Sequence, residues 1–166
     1  MLIRIKLTLL VRSILSTVLI PGTVIFLIPS LVIAESGNSG PHELSIISVA
    51  ALIFGSLQLI LLILSIRSFA VRGKGTLSPA DPPKDLVLKG PYRFTRNPMY
   101  MAAVLILLSE AIFFESIYLL IYLFIVGLVF HLFVVFYEEP KLKAVFGKSY
   151  SDYCKSVPRW TFTFKR

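Results

Sequence analysis

The fold is decided by one long apolar run, Met99–Tyr137, which reads MYMAAVLILLSEAIFFESIYLLIYLFIVGLVFHLFVVFY. Two glutamates, Glu110 and Glu115, interrupt it near the middle. The run is much longer than the stretch of about 20 apolar residues that crosses a bilayer once. It therefore predicts a tight helical hairpin, with one helix at about Met99–Phe114 and the next at about Ile117–Tyr137.

Two more apolar segments come before the hairpin. The first is Ser13–Ala34, with Pro21 and Pro29 inside it, and the second is Leu44–Ile66. Prolines are tolerated in membrane helices, so we expect a kink in the first segment and not a break. Together the segments predict an all-α, polytopic membrane protein with about four transmembrane helices.

The composition supports this class and excludes an ordinary soluble domain. The chain has 166 residues, of which 56% are hydrophobic and 16% are charged, and its mean hydropathy is +0.82. A soluble domain of this size needs a larger charged surface. We interpret residues 1–166 as one domain, with an N-terminal helix pair at 1–66 and a loop, hairpin and tail at 67–166.

The positive charges indicate the topology. The formal net charge is +8, and every Lys and Arg falls in one of three blocks, at Arg4–Arg12, Arg67–Arg96 and Lys141–Arg166. The other two segments between helices contain Glu35, Glu43, Glu110 and Glu115 and no Lys or Arg. By the positive-inside rule both termini are cytoplasmic. The basic surface is expected to face the anionic headgroups of the lipid bilayer, and no nucleic acid partner is expected.

Two polar segments lie on that side. Arg67–Asn97 is so rich in Gly and Pro that a long regular helix is excluded, and a loop of about thirty residues is uncommon unless it has a function. The tail from Lys141 alternates lysines with apolar residues at helical spacing, which predicts an interfacial C-terminal helix. Cys154 is the single cysteine, so no disulfide and no metal site are predicted.

Two clusters carry the candidate chemistry. The segment Leu86–Tyr100 enters the third helix, and Glu138 and Glu139 leave the fourth. Because these helices form a hairpin, the two clusters are expected at one membrane depth, as a pocket for a polar or charged small molecule. Glu138 is then a partner for Arg96 or for a ligand. The alternative is that these residues are only interfacial anchors and a solvated helix end.

His131 is a candidate within the fourth helix. It stands seven residues before Glu138, so both side chains are expected on nearly the same face, about 10 Å apart along the axis. An ionisable residue inside a span is a functional hypothesis. The alternative is a neutral histidine hydrogen-bonded to a neighbouring helix.

These motifs resemble those of the isoprenylcysteine carboxyl methyltransferase family, which is related to the membrane phospholipid methyltransferases. The similarity covers roughly Gly73–Trp160. The matching motifs are Gly90-Pro91-Tyr92, Arg96-Asn97-Pro98-Met99-Tyr100 and Glu138-Glu139, followed in the family's order by Phe146-Gly147, Tyr150, Tyr153 and Val157-Pro158-Arg159.

The resemblance implies a cofactor, S-adenosyl-L-methionine, bound without a Rossmann domain on the cytoplasmic side of the last helices. The cofactor-binding residues that it implies are Lys84, Asp85, Leu86, Val87, Tyr92, Asn97, Pro98, Met99, Tyr100 and Glu138. Eukaryotic members carry a substrate-binding arginine where this chain has Val134. His131, one turn earlier, is the candidate replacement on the substrate side.

The implied activity is methyl transfer to a lipophilic or prenylated acceptor at the interface between membrane and cytoplasm. Three alternatives stay open from the sequence. They are a phospholipid headgroup N-methyltransferase, a membrane reductase that uses a nicotinamide cofactor, and a non-catalytic membrane scaffold.

Overall fold

A computed structural model of the protein describes residues 21–37, 44–73 and 85–163, and every regular element in these ranges is helical. The all-α prediction is therefore confirmed for the described residues. In chain order the elements are a π-helical turn at Thr23–Leu27, α1 (Ile28–Glu35), α2 (Ile46–Gly73), a 3-10 turn at Gly90–Arg93, α3 (Pro98–Phe113), α4 (Ile117–Phe133), a π-helical turn at Val134–Glu138, and α5 (Glu139–Ser156).

The predicted hairpin is present as α3 and α4. The chain reverses at Glu115, which has a positive φ of 50° and so ends α3 in the left-handed region. Ser116 then caps α4, because its hydroxyl accepts a hydrogen bond from the backbone N–H of Leu119. The entry to α3 and the exit from α4 consequently lie at the same end of the hairpin.

The second helix is longer than the sequence predicts. We expected Leu44–Ile66 and a loop from Arg67, but α2 continues to Gly73, so the loop assignment was wrong for residues 67–73. The Gly- and Pro-rich part starts only at Gly73, and Arg67 and Arg72 are good helix formers. This extra length carries Ser68, Phe69 and Arg72 toward the end of the hairpin where α3 begins.

Within the described residues, two helices are long and apolar enough to cross a membrane, namely Ile46–Gly73 and the continuous helical stretch Ile117–Ser156. Shorter apolar helices cover Thr23–Glu35 and Pro98–Phe113. The described part of the predicted first segment is thus helical, and its π turn ends two residues before Pro29, whose missing N–H interrupts the α-helical ladder. Residues 13–20 of that segment lie outside the described ranges.

Small residues let the helices approach closely. Ala102 and Ala103 of α3 are buried in one apolar cluster with Leu62 of α2 and Ile25. A Cβ atom on Gly55 of α2 would lie 3.0 Å from the Cβ of Ser109. Large apolar side chains on the outer faces stay exposed, for example Ile53, Leu57 and Ile60 of α2 and Phe124 and Leu128 of α4. Close contact through small residues with apolar outer faces is typical of membrane helices.

The tail forms the predicted amphipathic helix, but no break separates it from α4. The π turn at Val134–Glu138 leads directly into α5, and Pro140 stands in its first turn. Gly147, with φ 52° and ψ −121°, bends α5 in the middle. Tyr150 and Tyr153 are buried after this bend and pack with Leu86, Leu142, Phe146 and Val157. Phe164 lies outside the described residues.

Candidate functional site

The structure brings together the two segments that the hairpin argument places at one depth. The hydroxyl of Tyr100, in the first turn of α3, donates a hydrogen bond of 2.8 Å to Glu138 Oε2. Glu138 is the last residue of the π turn. Thirty-eight residues of sequence separate the two partners, so this contact depends on the hairpin.

Glycine allows the entry segment to fit against α2. Gly90 has φ +69°, and a Cβ atom there would lie 2.6 Å from Ser68 Oγ and 3.0 Å from Arg72 Nη1. The 3-10 turn Gly90–Arg93 follows directly. Its Tyr92 carbonyl accepts a hydrogen bond of 2.6 Å from the hydroxyl of Tyr153. The segment is thereby held between the end of α2 and α5.

Gly90→Ala is expected to destabilise the protein by about 2 kcal/mol or more, since the left-handed region alone costs an L-residue about 1–2 kcal/mol. The displaced Ser68 and Arg72 side chains add to that cost. Thermal unfolding in mild detergent measures the change. Gly22→Ala is the matched control, because Gly22 has helical φ and ψ and open space around its Cβ position. Equal stability of the two variants would contradict the assigned role of Gly90.

Residues 157–163 form a strap across the start of α3, and we call them the C-terminal strap. The N–H of Arg96 donates to the Pro158 carbonyl at 3.0 Å, and the N–H of Thr163 donates to the Phe94 carbonyl at 2.9 Å. The Arg159 carbonyl accepts hydrogen bonds from Thr95 Oγ1 at 3.1 Å and from Asn97 Nδ2 at 3.2 Å. The C-terminal strap thus fixes the backbone that leads into α3.

Glu139 joins this strap to the hairpin through two arginines. Arg159 binds its carboxylate with two hydrogen bonds of 2.7 and 2.8 Å, and Arg96 Nη1 lies 3.0 Å from its Oε1. The hydrogen bonds to Glu139 raise the pKa of Arg159 above its already high usual value, so that this guanidinium stays charged. The sequence argument considered Glu138 as the partner of Arg96. The structure assigns the cation to Glu139, and Glu138 is bound by Tyr100 instead.

A polar cavity lies between these elements. Its apolar walls are Phe69, Leu86, Val87 and Leu142. Its polar lining is Tyr92, Arg96, Asn97, Glu138, Glu139, Tyr150 and Tyr153. The cavity volume is about 40 Å³, which is room for one or a few water molecules.

Two buried polar atoms of this lining have no hydrogen-bond partner within the described part of the chain, the Tyr92 hydroxyl and Arg96 Nε. Burial raises the pKa of Tyr92 well above its usual value, and the nearby Glu138 and Tyr153 raise it further. The phenol is therefore neutral and carries a proton that it can donate. Unpartnered polar groups are rare in protein interiors, so the Tyr92 hydroxyl and Arg96 Nε are candidate binding groups for a polar ligand.

A separate groove contains His131. Its lining is Tyr100, Met101, Val104, Leu105, Gly127, Phe130, His131 and Trp160, and its volume is about 350 Å³. Trp160 of the C-terminal strap donates from its indole N–H to His131 Nδ1 at 3.1 Å. We call this cavity the His131 groove. Tyr100 lines the groove and binds Glu138, so it stands between the groove and the polar cavity.

His131 and Glu138 do not share a cavity, although a regular helix predicts them on one face. The π turn at Val134–Glu138 lies between them. Such a turn inserts an extra residue into the α-helical register, so side chains on either side of it are rotated relative to the expected spacing.

Comparison with known proteins identifies the family. The family model for phospholipid methyltransferase matches residues 44–149, which is more than half of the chain. The chain belongs to the phospholipid methyltransferase family. The match supports the membrane methyltransferase relationship predicted from the motifs, but it does not specify isoprenylcysteine carboxyl methyltransferases.

The chain is similar to phosphatidylethanolamine N-methyltransferase B of Dictyostelium discoideum. The two are 38% identical over 66 residues, which is 39% of this chain and 33% of that relative. The aligned part therefore spans about a third of the relative's length. No solved structure matches the chain.

The family match covers most of the candidate site. It includes Tyr92, Asn97, Tyr100, His131 and Glu138, and ends before the C-terminal strap. Leu86, Val87, Tyr92, Asn97 and Glu138 line the polar cavity as a group. Tyr100 reaches that cavity's edge through its hydrogen bond to Glu138.

The other described residues that the resemblance implies for cofactor binding are not part of the lining of the polar cavity. Pro98 is buried at the first turn of α3, and Met99 packs against the apolar cluster of Ile25 and Leu62. The N–H of Asp85 donates to the Gly73 carbonyl at 3.3 Å. Lys84 lies outside the described residues.

Sequence reasoning missed several lining residues of the polar cavity. Phe69 was assigned to the loop, although it belongs to α2. Leu142 was recognised only from the apolar spacing of the tail helix. Tyr150 and Tyr153 were recognised from that spacing and from the family motifs, but they were not assigned to the cofactor site. Among the described residues, no group of three His, Cys, Asp or Glu side chains could hold a metal ion.

Proposed function

We propose that the protein transfers a methyl group from S-adenosyl-L-methionine to a phospholipid acceptor at the membrane surface. The observation that carries this proposal is the phospholipid methyltransferase match over residues 44–149. The contact between Tyr100 and Glu138, at the boundary of a polar cavity and an apolar groove, is consistent with it. A polar cofactor and a lipidic acceptor need such adjoining environments.

We further propose the topology. The chain crosses the membrane about four times, both termini are cytoplasmic, and α5 lies in the headgroup region. The three blocks of Lys and Arg support this orientation. In this arrangement the polar cavity opens toward the cytoplasm, and the His131 groove faces lipid.

The residues of the polar cavity fit a cofactor with adenosine, ribose and amino-acid parts. The Tyr92 hydroxyl has no partner among the described residues. Glu138 offers a carboxylate for hydroxyl or ammonium donors, and Leu86 and Val87 offer an apolar wall. Asp85 and Lys84 stand at the start of the same segment and are proposed to extend the site. The cavity volume is only about 40 Å³. The part of the wall formed by Leu86 and Val87 would therefore have to move outward for the cofactor to enter.

When bound, S-adenosylmethionine supplies a methyl group that is already activated for transfer. The chain has to align the acceptor and exclude water. If the acceptor is an ammonium headgroup, it must lose a proton before it can act as a nucleophile. The Glu138 carboxylate, oriented by the Tyr100 hydroxyl, is the group at this boundary that can accept that proton at Oε1 or Oε2.

The test has two parts. Membranes containing the protein should transfer radiolabel from methyl-labelled S-adenosylmethionine into an extractable phospholipid, and membranes without it should not. In detergent, S-adenosylhomocysteine at about a hundred times its Kd should add about 2.7 kcal/mol to the free energy of unfolding. NADPH should add nothing. Stabilisation by NADPH alone would contradict the proposal and favour a reductase.

A further inference from the structure

The hydrogen bond between Trp160 and His131 fixes which imidazole nitrogen can act on a ligand. An indole N–H only donates, and the acceptor in this bond is Nδ1. The neutral imidazole therefore carries its proton on Nε2. Because His131 lines the groove, its Nε2–H can donate to a ligand there, which suits an anionic oxygen and does not suit an ammonium group.

The surroundings of His131 are mainly apolar. The groove wall contributed by α3 consists of Met101, Val104 and Leu105, and Phe130 of α4 packs on the Tyr100 ring with centroids 4.8 Å apart. A Cβ atom on Gly127 would meet nothing within 4 Å, so the groove is open at that point. The polar side chains of the lining are Tyr100, His131 and Trp160. The Tyr100 hydroxyl already donates to Glu138 and the Trp160 indole to His131, which leaves the imidazole Nε2–H as the donor for a ligand.

The two adjacent carboxylates, Glu138 and Glu139, have different partners. Glu139 is held by Arg96 and Arg159, and the other carboxylate, Glu138, is reached through Tyr100. A zwitterionic headgroup has an anionic phosphodiester and a cationic amine. The donor at His131 matches the first, and the carboxylate behind Tyr100 matches the second.

Resting on the proposed function, we infer that His131, held by Trp160, is the site that recognises the phosphodiester of a glycerophospholipid acceptor. The groove takes the upper part of the acyl chains, and the headgroup amine points past Tyr100 to Glu138. His131 is thereby a specificity-determining residue that separates phospholipids from uncharged lipids. Trp160 is a positioning residue, because it acts by fixing the proton on Nε2.

Trp160 is the single tryptophan of the chain, so its fluorescence reports directly on this site. The full chain in detergent is titrated with a short-chain phosphatidylethanolamine, and separately with a diacylglycerol of the same chain length. The phospholipid should change Trp160 emission saturably and bind about tenfold or more tightly than the diacylglycerol, the size of one hydrogen bond to a charged group. Equal affinity for the two lipids, or no saturable change, overturns the inference.

Two substitutions sharpen the test. His131→Leu removes the donor and should reduce phospholipid affinity to that of the diacylglycerol, whereas His131→Gln keeps an N–H donor and should stay within about threefold of the unsubstituted chain. Equal phospholipid affinity of the Leu and Gln variants contradicts the inference. If the Leu variant does not fold, the comparison of the two lipids on the unsubstituted chain still decides.

This test separates the inference from the function on which it rests. Lipid binding is measured without S-adenosylmethionine and without turnover. Selective phospholipid binding with no transfer of label would reject the methyltransferase proposal alone. Transfer of label by a chain that does not distinguish the two lipids would reject the role of His131 alone.

Discussion

Glu138→Gln is expected to lower methyl transfer to phospholipid by about 100-fold or more, the usual contribution of a positioned acid or base. The amide keeps the size of the side chain and can still accept the hydrogen bond from Tyr100. The neutral amide cannot take a proton from an acceptor amine, and it cannot form an ion pair with a positively charged group. The rate of label transfer into lipid, measured at saturating cofactor, gives the effect.

Glu110→Gln is the matched control for this variant. Glu110 is also in the hairpin and has a buried Oε2 without a partner among the described residues. It stands thirteen residues after Asn97 along α3, which is about 20 Å of helix. The same chemical change at that distance should leave the rate within a factor of about two. Equal losses in both variants would mean that Glu138 acts through stability and not through chemistry.

Glu139→Gln is expected to destabilise the protein by about 2–3 kcal/mol. The side chains of Glu139 and Arg96 are only 17% and 11% exposed, and removing one partner leaves a charge with little compensation in a poorly solvated place. The lost bidentate bond to Arg159 also loosens the C-terminal strap. The free energy of unfolding in detergent should fall, and cofactor stabilisation should fall with it.

Asp152→Asn serves as the control for the loss of an acidic partner. Asp152 pairs with Lys155 at 3.0 Å, but their side chains are 52% and 77% exposed. An exposed pair of this kind contributes about 0–1 kcal/mol. A loss at Asp152 as large as that at Glu139 would show that the burial of Arg96 and Glu139 is not what stabilises this region.

The hairpin was predictable from the sequence because its signal is strong and local. The run Met99–Tyr137 exceeds the length of one membrane helix, and Glu115 marks the reversal. Once the hairpin is accepted, the proximity of Tyr100 and Glu138 follows without further information. The tail helix was predictable for a similar reason, since its apolar residues recur at a helical period.

The remainder depends on tertiary contacts that leave no local signal. Glu138 and Glu139 are adjacent and chemically alike, and only the packed structure assigns the arginines to one of them and Tyr100 to the other. The π turn is equally hidden, because no residue type marks the inserted residue that separates His131 from Glu138. The bonds of the C-terminal strap to Thr95, Arg96 and Asn97 join residues about sixty positions apart, beyond the reach of any periodicity.

The C-terminal strap has a consequence for biosynthesis. The ribosome makes residues 95–97 well before residues 157–163. During synthesis the long apolar helices can therefore enter the bilayer before the C-terminal strap forms its hydrogen bonds to the start of α3. The hydrogen bonds that hold the start of α3 therefore form only after the C-terminal strap has been synthesised. A nascent chain that stops after α4 would lack the hydrogen bonds that the C-terminal strap makes to Thr95, Arg96 and Asn97.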